Sequence, residues 1–189
     1  MLFRSDAIAR TISERSITLI KDAQNNVPLK TPRTGRILYL SVLDYPSGWR
    51  IAAPSRTLIP ALKARWANVD AVEVSDRTTP SELDLVGAMA DRYDAIVAGV
   101  FVRASSGSGR MDIAPPVAEL LRDIASSSQR RSQPFIATFF GNPYTPMFVP
   151  DVPAMLLTYD FSDYAETSAV KAIAGEIPIN GKLPISLPG

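Results

Sequence analysis

The chain contains no cysteine and no histidine in 189 residues. Without cysteine it has no disulfide, no thiolate metal site and no thiol nucleophile. Without histidine it lacks the commonest general base and metal ligand, so neither a Ser-His-Asp triad nor a histidine-based zinc site can form within it. It also lacks a charge excess: 20 Lys and Arg stand against 19 Asp and Glu, which gives no support for nucleic-acid binding. No apolar run approaches the roughly 20 residues that span a bilayer, so no membrane span is expected. The start, Met1-Leu2-Phe3-Arg4-Ser5-Asp6, is too polar for a signal peptide. The absence of cysteine does not fix a compartment.

What is present is ordinary for a globular domain. Hydrophobic residues make up 46% and charged residues 21%, and a chain of this length can bury a sizeable core without staples. Residues 5–15 predict a helix capped by Ser5 or Asp6, with Ile8 and Ile12 as an i, i+4 apolar pair. Ser16 to Lys21 predicts a short strand, and Asn25-Asn26-Val27-Pro28-Leu29 a turn followed by an extended piece. Strands are then predicted at Ile37 to Leu43, Val69 to Val74, Tyr93 to Phe101, Phe135 to Phe140 and Met155 to Tyr159. Helices are predicted at Arg56 to Trp66, from Pro80 to Asp91 with Thr79 and Glu82 as a capping box, from Pro115-Pro116 through Ile124, and from Asp163 to Ala174. The connection from Gly141 to Pro153 carries four prolines and no helical period.

These strands are continuous apolar runs, the signature of strands buried on both faces of a parallel sheet. The alternation predicts an α/β fold: a three-layer sandwich of helices around a mostly parallel, flavodoxin-like sheet. Residues 1–35 read as a leading helix, strand and linker, and 36–189 as the sandwich core, together one structural domain.

In such a sheet, ligands sit beyond the carboxyl ends of the strands where the strand order reverses. The residues expected there are Asp44, Asp76-Arg77, Arg103, Gly141-Asn142 and Tyr159-Asp160. Asp, Asn and Gly are also common turn formers at such places. The run Ser105-Ser106-Gly107-Ser108-Gly109-Arg110 reads as a surface loop. It has no G-x-G-x-x-G or Lys-Ser/Thr signature, so the signal for a phosphate cradle is weak. Asp44, Asp76, Asp160 and Asp163 do not form the adjacent acidic pair that a magnesium or phosphoacceptor site needs. No metal and no cofactor is expected. Arg130-Arg131 reads as a solvated helix end, and Tyr39, Trp66, Phe135 and Phe139 read as core.

Two long stretches carry a resemblance. Ala9 to Leu29, ARTISERSITLIKDAQNNVPL, resembles the segment that leads into the second domain of family 3 glycoside hydrolases. Ala174 to Pro188, AGEIPINGKLPISLP, resembles the segment that leaves it. Gly141-Asn142-Pro143-Tyr144 and Leu157-Thr158-Tyr159 resemble the loop and strand between them, so the likeness runs over nearly the whole chain.

The resemblance implies the same α/β sandwich, and it implies a partner. In that family a (β/α)8 barrel precedes the sandwich and carries the aspartate nucleophile. A barrel takes about 250 residues, more than this chain has. In the β-glucosidase branch the general acid is a glutamate on a sandwich loop, at a place matching Val100 to Arg110. No glutamate stands there, and the first carboxylate is Asp112. In the β-N-acetylhexosaminidase branch the acid/base is a histidine paired with an aspartate on the barrel. A sandwich with no histidine and no loop glutamate resembles that branch more closely, as does Phe101-x-Arg103. The expected role is therefore an ancillary C-terminal domain, inactive alone, of a retaining β-N-acetylglucosaminidase. Arg103, Ser105, Ser106, Asp44 and Asn142 are the candidate substrate contacts at the domain interface. The alternatives are a stand-alone carbohydrate-binding or scaffold module, and a β-glucosidase-branch domain with Asp112 as a displaced acid.

Overall fold

A computed structural model describes the backbone of residues 2–44, 53–103 and 111–187, and the side chains of these from residue 5 onward. The strands are β1 Thr18–Asp22, β2 Arg36–Leu43, β3 Asn68–Ser75, β4 Ala95–Val102, β5 Phe135–Gly141 and β6 Ala154–Thr158. The helices are α1 Leu2–Ser16, α2 Leu58–Lys63, α3 Pro80–Ala90, α4 Pro115–Arg131 and α5 Asp163–Ile173. One sheet holds all six strands in the order β1-β6-β5-β4-β2-β3. All neighbours are parallel except β1, which lies antiparallel on β6. The expected three-layer α/β sandwich is what the chain forms, and its five parallel strands follow the flavodoxin-like order.

The two faces of β2 show why. Leu38, Leu40 and Val42 point into one core with Leu83 and Val86 of α3 and Leu120, Leu121 and Ile124 of α4. Ile37, Tyr39 and Leu43 point into the other, with Leu58 and Leu62 of α2 and Ala169, Val170 and Ile173 of α5. Burial of each such leucine or isoleucine contributes roughly 1.5–3 kcal/mol, so the sheet is stabilised from both sides. The chain runs outward from β2 to β3, then back across to β4. Right-handed crossovers in opposite directions place α2 on one face and α3 and α4 on the other. The reversal point thus falls between β2 and β4.

Local signals hold at several places. Thr79 accepts from the Glu82 amide, and Glu82 accepts from the Thr79 amide at 2.8 Å, closing the capping box. Those Thr79 hydrogen bonds hold the Glu82 carboxyl below its ordinary range. Tyr39, Trp66, Phe135 and Phe139 are all buried. Arg131 of the basic doublet caps the end of α4 outward, pairing with Asp91 at 2.9 Å. The β5–β6 connection contains only a 3₁₀ turn, Thr145–Phe148, in place of a crossover helix. It is held from α4 by Arg122 donating to the Phe148 carbonyl and Gln129 to that of Asp151, both at 2.8 Å.

Two expectations change. The helix predicted over Arg56 to Trp66 is helical only at Leu58–Lys63, although Leu58, Leu62 and Trp66 are buried as expected. Helix α1 forms, but Ile8 and Ile12 face outward, 52% and 62% exposed.

The short α2 is held by a residue from the far end of the chain. Glu166, in the first turn of α5, is 2% exposed. Its Oε1 accepts from the Ser55 amide at 2.7 Å. Its Oε2 accepts from the Thr57 amide and hydroxyl at 2.7 Å and from the Leu58 amide at 2.9 Å. These are the orphan donors of the α2 N-terminus, where a carboxylate is favoured. Ser55 is left-handed, φ 66°, and its hydroxyl bonds those of Tyr39 at 2.6 Å and Ser41 at 2.7 Å. Burial pushes the Tyr39 phenol above its ordinary range, so it remains a neutral hydrogen-bonding group.

Glu166→Gln preserves volume but turns an amino group toward amides that need an acceptor. Urea unfolding should show a loss of about 3 kcal/mol; a loss below about 0.5 kcal/mol would contradict this account of the cap.

Candidate functional site

The carboxyl ends of the parallel strands bring several expected residues to one edge. Asp44 follows β2 and Arg103 follows β4, so the two flank the reversal point. Asp44 is buried, and its amide extends the ladder by donating to the Phe101 carbonyl at 3.2 Å. Asn142 follows β5, one strand further along. Ser105 and Ser106 lie outside the described residues. Asp76 and Arg77 sit on a tight turn closed by the Thr78 amide on the Ser75 carbonyl at 3.1 Å, at the edge strand β3.

Beyond β4, β5 and β6 is an open cavity of about 400 Å³ lined by Val102, Arg103, Met111, Gly141, Asn142, Pro143, Tyr144, Tyr159 and Phe161. Arg103 and Asn142 share it; Asp44 does not line it. The Arg103 guanidinium stands over the Phe161 ring, 5.8 Å from its centroid. The Asn142 side chain is committed to the loop: Oδ1 accepts from the Tyr144 amide at 3.0 Å, and Nδ2 donates to the Met111 carbonyl at 3.3 Å. It therefore joins the loop after β5 to the segment before α4. Tyr144 and Met111 are 44% and 55% exposed on the rim.

Gly141 makes this arrangement possible. Its φ is +84°, and a Cβ there would lie 2.6 Å from the Phe161 ring. Only glycine combines that backbone with so close a ring. Phe161 and Met111 were not singled out from the sequence, because aromatic and apolar residues in loops carry no period; Tyr144 entered only as part of the loop that carries the resemblance.

The described lining contains one cation, one amide and three aromatic rings, but no carboxylate. Aromatic faces and a guanidinium can hold a polar, ring-shaped ligand by stacking and donation. The two-carboxyl route of glycoside cleavage places one acid on each side of the scissile bond, and the described lining holds neither. Among the described residues, no group of three or more Asp, Glu, His or Cys side chains is placed to hold a metal ion. No described helix is long and apolar enough to cross a membrane.

The stretches that carry the resemblance meet at two places, beside this edge and at the far end of α5. The Gly181 amide donates to the Ile17 carbonyl at 3.0 Å, and a Cβ on Gly181 would lie 2.4 Å from that oxygen. The Tyr159 hydroxyl bonds that of Thr18 at 3.0 Å and donates to the Lys182 carbonyl at 3.4 Å. The Leu29 amide donates to the Ile173 carbonyl at 2.8 Å, while Gly175, φ +72°, lets Pro28 pack against it.

No family model and no curated protein matches the chain in sequence. Solved structures do match its fold. Over 96% of its length the chain superposes on 19% of a fungal multi-domain GH3 β-N-acetylglucosaminidase, with a TM-score of 0.74 and 22% identity. It superposes over 94% of its length on 32% of a glycoside hydrolase family 3 β-N-acetylglucosaminidase from Paenibacillus sp., with a TM-score of 0.69 and 18% identity. A β-glucosidase from Listeria innocua, solved with glucose, matches over 92% of this chain and 25% of its own, with a TM-score of 0.69 and 15% identity. The shared property is the fold. The chain spans less than a third of each of these enzymes.

Gly141→Ala should cost about 2 kcal/mol in urea unfolding, through its positive φ and the displaced Phe161 ring. A change below about 0.5 kcal/mol would mean that the loop after β5 can do without this geometry.

Proposed function

We propose that the chain is the ancillary C-terminal domain of a family 3 glycoside hydrolase and that its parent is a retaining β-N-acetylglucosaminidase. The supporting observation is a fold that occupies less than a third of solved enzymes of that family, here with no histidine in the chain and no glutamate between Val100 and Arg110. In this reading the chemistry belongs to a (β/α)8 barrel of the same polypeptide. The barrel aspartate attacks the anomeric carbon and forms a glycosyl-enzyme. A barrel histidine, paired with an aspartate, protonates the leaving oxygen and then activates water. Residues 1–35 lead from the barrel into the sandwich core, 36–189. The edge bearing Arg103, Asn142, Tyr144 and Phe161 faces the carbohydrate at the domain interface, with Asp44 beside it, and Ser105 and Ser106 are further contacts expected from the sequence. These residues contact and exclude water; they transfer no proton.

A second reading is supported by the β-glucosidase among the fold neighbours. There the parent is a glucosidase, and Asp112 replaces the missing loop acid.

The purified 189-residue chain should not turn over an aryl β-N-acetylglucosaminide, whereas the full polypeptide should. In that polypeptide Asp112→Asn should keep turnover within about twofold. Turnover by the fragment would refute the ancillary role. Loss of a hundredfold or more with Asp112→Asn, on an aryl β-glucoside, would favour the second reading.

A further inference from the structure

Helix α1 is amphipathic in the inverted sense. The side it turns to its own domain is polar. Glu14 receives the Lys171 ammonium at 2.5 Å, and the Ser13 and Ser168 hydroxyls bond at 3.1 Å. The Tyr164 hydroxyl donates to Asp6, and the Arg10 guanidinium lies over the Tyr164 ring, 5.8 Å from its centroid. The opposite side carries Ile8 and Ile12, one turn apart and 52% and 62% exposed. A helix that only covered its own domain would bury such a pair. Here α5 offers α1 Tyr164, Ser168 and Lys171, partners for polar groups and not for isoleucine.

We propose that α1 is a two-sided bridging helix. Its polar side grips α5, and its Ile8–Ile12 side docks on the preceding domain of the same polypeptide. This inference rests on the two-domain reading and adds to it the residues that make the contact. The size of the stripe selects the occupant. Two isoleucines are a small part of the roughly 1,200–2,000 Å² that a stable association of separate molecules buries, so a second copy would be held weakly. A domain on the same chain needs no such area, because tethering raises its effective concentration to the millimolar range. As the first helix of the sandwich, α1 is also the element nearest in sequence to such a domain.

The test is hydrogen–deuterium exchange over residues 5–16 in the full polypeptide, for the wild type and for Ile8→Asp/Ile12→Asp, with turnover measured in parallel. Both side chains point outward, so the double variant of the 189-residue chain should keep its unfolding midpoint. In the full polypeptide the wild-type α1 amides should exchange at least tenfold more slowly than in the double variant, with sheet amides unchanged in both. Equal α1 exchange with glycosidase turnover present would overturn the docking inference and leave the parent reading standing. Slowed wild-type exchange without any turnover would uphold the docking and remove the glycosidase. If light scattering showed the isolated wild-type chain to be a dimer and the variant a monomer, the occupant would be a second copy and the proposal would fall.

Discussion

The start of α2 depends on one carboxylate. Glu166 stands in a region where a charge is stable only if its oxygens are fully used, and four donors from Ser55, Thr57 and Leu58 use them. This single contact fixes where α2 begins and keeps Ser55 in its left-handed conformation. It also ties the chain returning from the end of β2 to α5, the last helix. Arg65 completes the bracing at the other end of α2 with a two-pronged pair to Glu176, both bonds at 2.6 Å. The sheet face under α2 is thereby closed, and the carboxyl edge beside Asp44 acquires one wall fixed in place.

A second constraint acts at the opposite side of the sheet, where the beginning and the end of the chain cross. Gly181 against Ile17 and Tyr159 against Thr18 and Lys182 form one clasp, and Gly175 against Pro28 forms a second at the far end of α5. The first holds β1 and the tail against β6. The residues there are glycine, proline and tyrosine because backbones touch and a hydroxyl must reach two partners.

Much of the fold was legible. Continuous apolar strands such as Ile37 to Leu43 announce a sheet covered on both faces, and Thr79-Pro80 with Glu82 announces a helix start. The antiparallel placement of β1 was not legible, since short strands carry no direction signal. Glu166 was missed because an acid in a first helical turn reads as solvent-exposed. Its spacing with Ala169, Val170 and Ile173 puts it on the buried face, a signal that was present but weak. Ile8 and Ile12 misled in the opposite direction: periodicity finds an apolar side but not what it faces. At the site, topology located Asp44, Arg103 and Asn142 at the carboxyl edge. Phe161 entered only through the close approach at Gly141, and Tyr144, part of the loop that carries the resemblance, was not read as a site residue.

In the proposed reading the chain is a wall beside the carbohydrate, and the chemistry lies in another domain. Trapping the glycosyl-enzyme tests this most directly. The full polypeptide would be treated with an activated fluoroglycoside and the adduct located by peptide mass spectrometry. The account predicts the label on an aspartate that precedes these 189 residues. A label on any residue of this chain would contradict it.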